Sequence, residues 1–219
     1  MTGPWLPVLL AAAAGYLLGS LPFAILVSRL LGRPDIRTQG SGNAGMTNML
    51  RSYGKAAAAL TAVGDGAKGA LAVLAARGLC AAFGADPGFD AGWIGALAAV
   101  AGHVWPAWFG FRGGKGVMAA FGAVLVLDPA VFLVLLVLAV PAFLLTRTMS
   151  VVSLGAAAEL PLATLGIALL RNAPWLAATL FAAACAGLVA FAHRENVKRL
   201  AAGTEKPILP RRRKGPPEA

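Results

Sequence analysis

The sequence predicts an all-α integral membrane bundle of about seven transmembrane helices, with the N-terminus outside and the C-terminus cytoplasmic. Three observations carry that expectation. The chain is 58% hydrophobic and only 13% charged, against about 25% charged residues in soluble proteins. Its apolar residues fall into runs close to the roughly 20 residues that a helix needs to cross a bilayer. Its Lys and Arg residues collect in the gaps between those runs.

The first run covers residues 4–28. No Lys or Arg precedes it, so it reads as a retained span and not as a cleaved signal peptide. Further runs cover 55–77, 129–146, 151–170 and 174–192. The shorter runs 92–108 and 114–127 complete the seven as two full spans or as a re-entrant pair. On this count the basic residues of 29–55, Arg112, Lys115, Arg147 and everything from Arg194 onward share one side. The other side holds Arg77 and Arg171, and Lys68 lies inside a span. The positive-inside rule makes the crowded side cytoplasmic.

Pro22, Pro106, Pro141 and Pro161 punctuate the helices, and 27 glycines with many alanines favour close helix contacts. No internal repeat appears, which weighs against an inverted-repeat transporter. Residues 1–205 form a single transmembrane domain. Residues 206–219 form a basic, disordered cytoplasmic tail, whose Arg211-Arg212-Arg213-Lys214 run suits an anchor near anionic lipid. A net charge of +10 in a soluble domain would point to nucleic acid. Confined to the gaps between spans, it points to lipid headgroups and phosphorylated small molecules. Cys80 and Cys185 lie far apart in the sequence, too few for a disulfide framework or a thiolate metal site, and read as small packing residues.

Four polar constellations interrupt the apolar sequence. Gly113-Gly114-Lys115-Gly116 is either a phosphate cradle, with glycine amides and a mobile cation around an anion, or an interfacial turn with a snorkelling lysine. Gly40 to Asn48, with Arg51, packs hydroxyls, carboxamides and a guanidinium into one short stretch, and such donors suit phosphate. The plainer reading there is a polar loop that caps the next helix through Asn48 or Ser52. Asp65 and Lys68 stand three apart on one helix face. They make a functional intramembrane pair or a structural one, with Lys68 a candidate anion ligand. His103 precedes an aromatic belt of Trp105, Trp108, Phe109 and Phe111, and a bond to a backbone carbonyl would account for it. His193, with Asn196, sits where the last span exits and can orient a hydroxyl or bind phosphate. Arg194, Lys198 and Arg199 read as helix-end cations.

Missing motifs narrow the chemistry. Phe109 and Gly116 occupy positions where a Walker A loop needs Gly and Ser or Thr, so nucleotide hydrolysis is not expected. The nine acidic residues are scattered, which leaves no two-metal carboxylate cluster and no expected metal or cofactor. Asp65-Gly66 begins like a CDP-alcohol phosphotransferase motif, but the further aspartates do not follow. Neither histidine has the acid that soluble-type glycerolipid acyltransferases place five residues on, and no Gly-x-Ser-x-Gly elbow occurs. Phosphate ligands without a nucleophile or metal suit a substrate that is already activated.

In order and spacing, Gly40 to Asn48 with Arg51, Asp65 to Gly69, Gly102 to Gly116 and His193 to Glu205 closely resemble the bacterial membrane acyl-phosphate:glycerol-3-phosphate acyltransferase family. The resemblance implies transfer of a fatty acyl group from acyl phosphate to the 1-hydroxyl of sn-glycerol 3-phosphate. The products are lysophosphatidic acid and phosphate, in the first acylation of phospholipid synthesis at the bacterial cytoplasmic membrane. By position, Ser41 and Arg51 match the family's essential polar pair, Gly113, Gly114, Lys115 and Gly116 its glycerol-phosphate loop, and His193 and Asn196 its third motif, with Glu205 structural. Asn43, Thr47, Asn48 and Lys68 join as substrate ligands. Met46 and Met118 stand where the family usually has Ala, and Ala24 where it often has Gly. The rival readings are a small phosphate-ester transporter and a structural membrane subunit.

Overall fold

The structure, a computed structural model, describes residues 5–208. The Arg211–Lys214 run lies outside the described residues. Ten α-helices form the described chain: α1 (Trp5–Gly19), α2 (Phe23–Leu30), α3 (Met46–Tyr53), α4 (Lys55–Ala82), α5 (Gly92–Val104), α6 (Val117–Leu127), α7 (Pro129–Thr146), α8 (Met149–Leu170), α9 (Leu176–Ala192) and α10 (Arg194–Ala201). Four helices are long and apolar enough to cross a membrane: α1 with α2, α4, α7 and α8. A fifth results if α9 and α10, bent by 62°, count as one.

All seven apolar runs are helical, yet two of them fall short of a full span. α5 has 13 residues and α6 has 11, about 20 and 17 Å at 1.5 Å per residue, against roughly 30 Å of hydrocarbon. Polar backbone replaces helix at the ends of both runs. The stretch read as a loop before α4 also differs, because residues 46–53 form α3. Asn48 and Ser52 therefore lie inside a helix, and the turn into α4 is made by Gly54 at φ +88°.

α4 is the central post, packed by α1, α5 and α6. Small residues set these crossings. A Cβ on Gly69 of α4 would lie 1.9 Å from the Ala119 carbonyl oxygen of α6, and one on Gly122 of α6 would lie 1.9 Å from that of Gly66. A Cβ on Gly95 of α5 would approach Ala72 O of α4 to 2.2 Å. Backbones in such direct contact gain dispersion energy that bulkier residues would forfeit. α7, by contrast, presents Leu133, Val137, Leu144 and Leu145 outward, as a lipid-facing helix should.

Successive long segments run in alternate directions, so the loops gather at two ends. At one end Arg77 pairs with Asp90 at 2.5 Å, and Arg171 pairs with Asp128 at 2.6 Å. Asp128 also caps α7 by accepting from the Ala130 and Val131 amides. The two basic residues of this end are thus neutralised by acids. The other end brings together 31–54, 105–116, 147–148 and 193–208, and there the site forms.

Candidate active site

A cavity of about 840 Å³ opens between α3, the 105–116 loop, the start of α8 and the α9–α10 elbow. Its first wall is the stretch from Gly40 to Arg51. Asn48 organises it: its Oδ1 accepts from the Ser41 amide at 3.0 Å, while its Nδ2 donates to the carbonyls of Gln39 (2.9 Å), Asn43 (3.1 Å) and Ile36 (3.2 Å). A Cβ on Gly40 would lie 2.4 Å from Asn48 Oδ1, and Gly40 has φ +53°. Glycine is demanded there twice. Asn48 thus spends its polar atoms on the loop, leaving Ser41, Asn43 and Thr47 to offer theirs to the cavity they line. Arg51 stands at the rim, where its guanidinium donates to the Lys206 carbonyl at 2.9 Å. Ile208 N bonds Arg147 O at 2.8 Å, so the first residues expected in the tail form a strap beside the site.

The second wall is the Gly113 to Gly116 loop. Its geometry departs from a simple amide cradle. Gly113 N–H donates to Val104 O and Gly114 N–H to His103 O, both at 3.1 Å. The glycines serve close packing instead. A Cβ on Gly113 would fall 1.9 Å from His103 O, and one on Gly114 would fall 2.2 Å from His103 Nε2 and 2.5 Å from Ala44 O. Gly116, at φ +79°, turns the chain into α6. Gly113, Lys115 and Gly116 line the cavity. Lys115 Nζ donates to Asn196 Oδ1. Burial first, then repulsion from Arg199, lowers the Lys115 ammonium to about 8. An anion in the cavity would restore its charge.

The elbow after α9 makes the third wall. His193 Nδ1 lies 2.8 Å from Val189 O, so that nitrogen carries the proton and Nε2 offers the lone pair of the neutral ring. Asn196 donates to Glu205 Oε1 at 2.6 Å, Ser150 Oγ donates to the same oxygen at 2.8 Å, and Arg199 Nε donates to Oε2 at 2.6 Å. Burial pushes the Glu205 carboxyl up, but these three donors outweigh it and leave it below the usual carboxylate range. Glu205 therefore anchors a relay from α8 through Asn196 to Lys115.

The buried side of the cavity is formed by Asp65 and His103, with His103 Nδ1 at 3.4 Å from Asp65 Oδ1. Lys68 departs from its expected place as an anion ligand. It is 2% exposed, lies 2.8 Å from Asp65 Oδ1, and donates to Leu21 O at 2.7 Å. The pair ties α4 to the kink between α1 and α2, and Lys68 is absent from the cavity lining.

Ser150, Ser153, Arg199 and Glu205 complete the walls. Of these, the sequence brings Arg199 and Glu205 to notice only as helix-end charge and motif member. The signal for the serines was faint: Ser150 and Ser153 stand three apart at the start of α8, which puts them on one face. Ser153 and Val117 also border a second, apolar cleft lined by Val124, Leu160, Cys185 and Val189, between α6, α8 and α9.

Comparison with known proteins gives the family of the chain. The family model described as glycerol-3-phosphate acyltransferase matches residues 9–203. The chain is 45% identical over 198 residues to the glycerol-3-phosphate acyltransferase of Neisseria meningitidis serogroup C (strain 053442), covering 90% of this chain and 96% of that protein. It is 40% identical over 200 residues to that of Clostridioides difficile (strain 630), covering 91% and 95%. The crystal structure of PlsY (YgiH), an integral membrane glycerol 3-phosphate acyltransferase, is similar in its glycerol 3-phosphate form with a TM-score of 0.78 at 34% identity, over 91% of this chain and 94% of that one. Its lysophosphatidic acid form gives a TM-score of 0.77. Matches of this extent leave no room for the transporter or the structural subunit, and the chain belongs to the glycerol-3-phosphate acyltransferase family of integral membrane enzymes.

Proposed function

We propose that this enzyme makes lysophosphatidic acid by moving a fatty acyl group from acyl phosphate to the 1-hydroxyl of glycerol 3-phosphate. The observation that carries the reading is the basic polar cavity of about 840 Å³, bordered through Val117 and Ser153 by a narrow apolar cleft of about 20 Å³. The phosphates take the cavity, and the alkyl chain leaves it along that apolar border toward lipid. Ser41, Asn43, Thr47, Arg51 and Lys115 face the cavity as donors, and cationic donors bind phosphate oxygens strongly. Gly113 and Gly116 keep the loop close enough for Lys115 to reach.

In the reaction the 1-hydroxyl oxygen attacks the acyl carbon, and the bond from that carbon to the phosphate oxygen breaks. The departing phosphate keeps the electron pair and takes up the hydroxyl proton. An acyl phosphate is a mixed anhydride with a good leaving group, so positioning and charge neutralisation supply most of the catalysis. His193 Nε2 accepts a hydrogen bond from the 1-hydroxyl and aims it, and Asn196 holds Lys115 against the phosphate. The crowding of Lys and Arg at the site end supports a cytoplasmic cavity and an outside N-terminus. On that orientation α5 and α6 are membrane-embedded partial spans, and the site faces the cytoplasm.

Purified enzyme in detergent or lipid mesophase tests the reading. Given glycerol 3-phosphate and acyl phosphate it should release phosphate and form lysophosphatidic acid, while acyl-CoA should give no product. Turnover with acyl-CoA at a comparable rate would overturn the donor assignment.

A further inference from the structure

The hydroxyls of Ser28, Thr61 and Thr164 each bond the carbonyl four residues earlier on their own helix, at 2.6 to 2.8 Å. This is the usual fate of a hydroxyl in an apolar helix. Ser153 is 7% exposed, yet among the described residues its Oγ makes no such bond and is left to the cavity that the residue lines. It is also one of two residues, with Val117, that border both the polar cavity and the apolar cleft. Across the junction stands the first turn of α6, where Val117 and Met118 line the cavity and helix geometry leaves the leading amides without partners.

The reading of the cavity and cleft as phosphate and acyl sites, on which this inference rests, has a geometric corollary. A phosphate on the polar side and an alkyl chain on the apolar side put the acyl carbonyl at the boundary between them. We infer that Ser153 is a catalytic residue whose hydroxyl, together with the first-turn amides of α6, binds the acyl carbonyl oxygen. As the alcohol oxygen adds to the carbonyl carbon, the π electron pair moves onto that oxygen. Ser153 O–H and the α6 amides donate to the oxyanion. The pair then returns as the carbon–phosphate oxygen bond breaks, and the phosphate leaves with those electrons and the alcohol proton. Ser153 is neither acylated nor deprotonated. Donors held in a water-poor site need no reorganisation as charge develops, which is why such groups act on turnover.

The test is steady-state kinetics of Ser153→Ala and Ser153→Thr against the wild-type enzyme, with acyl phosphate and glycerol 3-phosphate varied in turn and thermal unfolding in the same detergent as the measure of folding. Removal of one oxyanion donor typically costs on the order of 10²–10³ in kcat. With the α6 amides left in place, Ser153→Ala should lose about tenfold to a hundredfold in kcat, keep both KM values within about twofold, and unfold at the wild-type temperature. Ser153→Thr, which restores a hydroxyl, should recover most of the loss. Unchanged kcat in Ser153→Ala, a loss confined to KM, or no recovery in a folded Ser153→Thr overturns the inference. A wild-type enzyme inactive with acyl phosphate overturns the underlying functional reading as well, and that outcome is separately visible.

Discussion

Lys115 is the residue whose charge is most sensitive to its surroundings. Burial and the nearby Arg199 bring it down to about 8, so the empty enzyme loses this cation as pH rises through that value. The KM for glycerol 3-phosphate should therefore climb above about pH 8. Bound phosphate pulls the proton affinity back up, which places the alkaline limb of kcat higher than that of kcat/KM. pH profiles of both parameters check this. Stability has the opposite sign: an unfolded lysine titrates higher, so the cost of burying the cation is present below about 8 and is relieved as pH rises past it. Lys115→Ala should raise the KM for glycerol 3-phosphate strongly, and an unaltered KM would refute its role as phosphate ligand. With the departing phosphate as proton acceptor, His193→Ala should keep substantial turnover. Near-complete loss of kcat at unchanged KM would instead assign the proton to His193.

Between elements, contacts decide whether the walls of the cavity meet. Glu205 accepts from Ser150 of α8 and from Asn196 and Arg199 of α10 through only two oxygens. Glu205→Gln should release Arg199, misplace Asn196 and Lys115, and cost about tenfold or more in kcat/KM, as loss of a charge-assisted bond does. Initial rates together with thermal unfolding would separate this from global loss of fold. Its stabilising contribution is present at neutral pH and lost as pH falls through its depressed value. At the α4–α6 crossing, Gly69→Ala places a Cβ against Ala119 O. Overpacking of this kind costs typically 1–3 kcal/mol, so the unfolding temperature should drop. The Gly and Ala content foretold close helix contacts. Which glycine meets which backbone did not follow from it, because that depends on the rotation of each helix about its axis.

On the scale of the whole molecule, charge is divided by end. Arg77 and Arg171 are matched by Asp90 and Asp128, whereas the cavity end keeps its excess of cations. A cytoplasmic cavity predicts that a cysteine introduced as Thr204→Cys is labelled by an impermeant reagent only from the cytoplasmic face. One introduced as Ala173→Cys should be labelled only from the opposite face. Labelling of sealed vesicles of known orientation reads both, and the native Cys80 and Cys185 are buried. Identical sidedness for the two positions would break the proposed topology.

Hydropathy and charge segregation along the chain already specify the solvent and the helical class, because both are additive and need no partner. Ser41, Arg51, Lys115, His193 and Asn196 were legible for the same reason: polar groups in an apolar chain stand out. Tertiary structure decided what those groups face. It assigned Lys68 to an internal ion pair, turned Asn48 inward on its own loop, spent the Gly113 and Gly114 amides on α5 carbonyls, and cut two apolar runs short of full spans. Each outcome depends on where a second element lies when a hydrogen bond or a void must be filled, and that information exists only once the helices have packed.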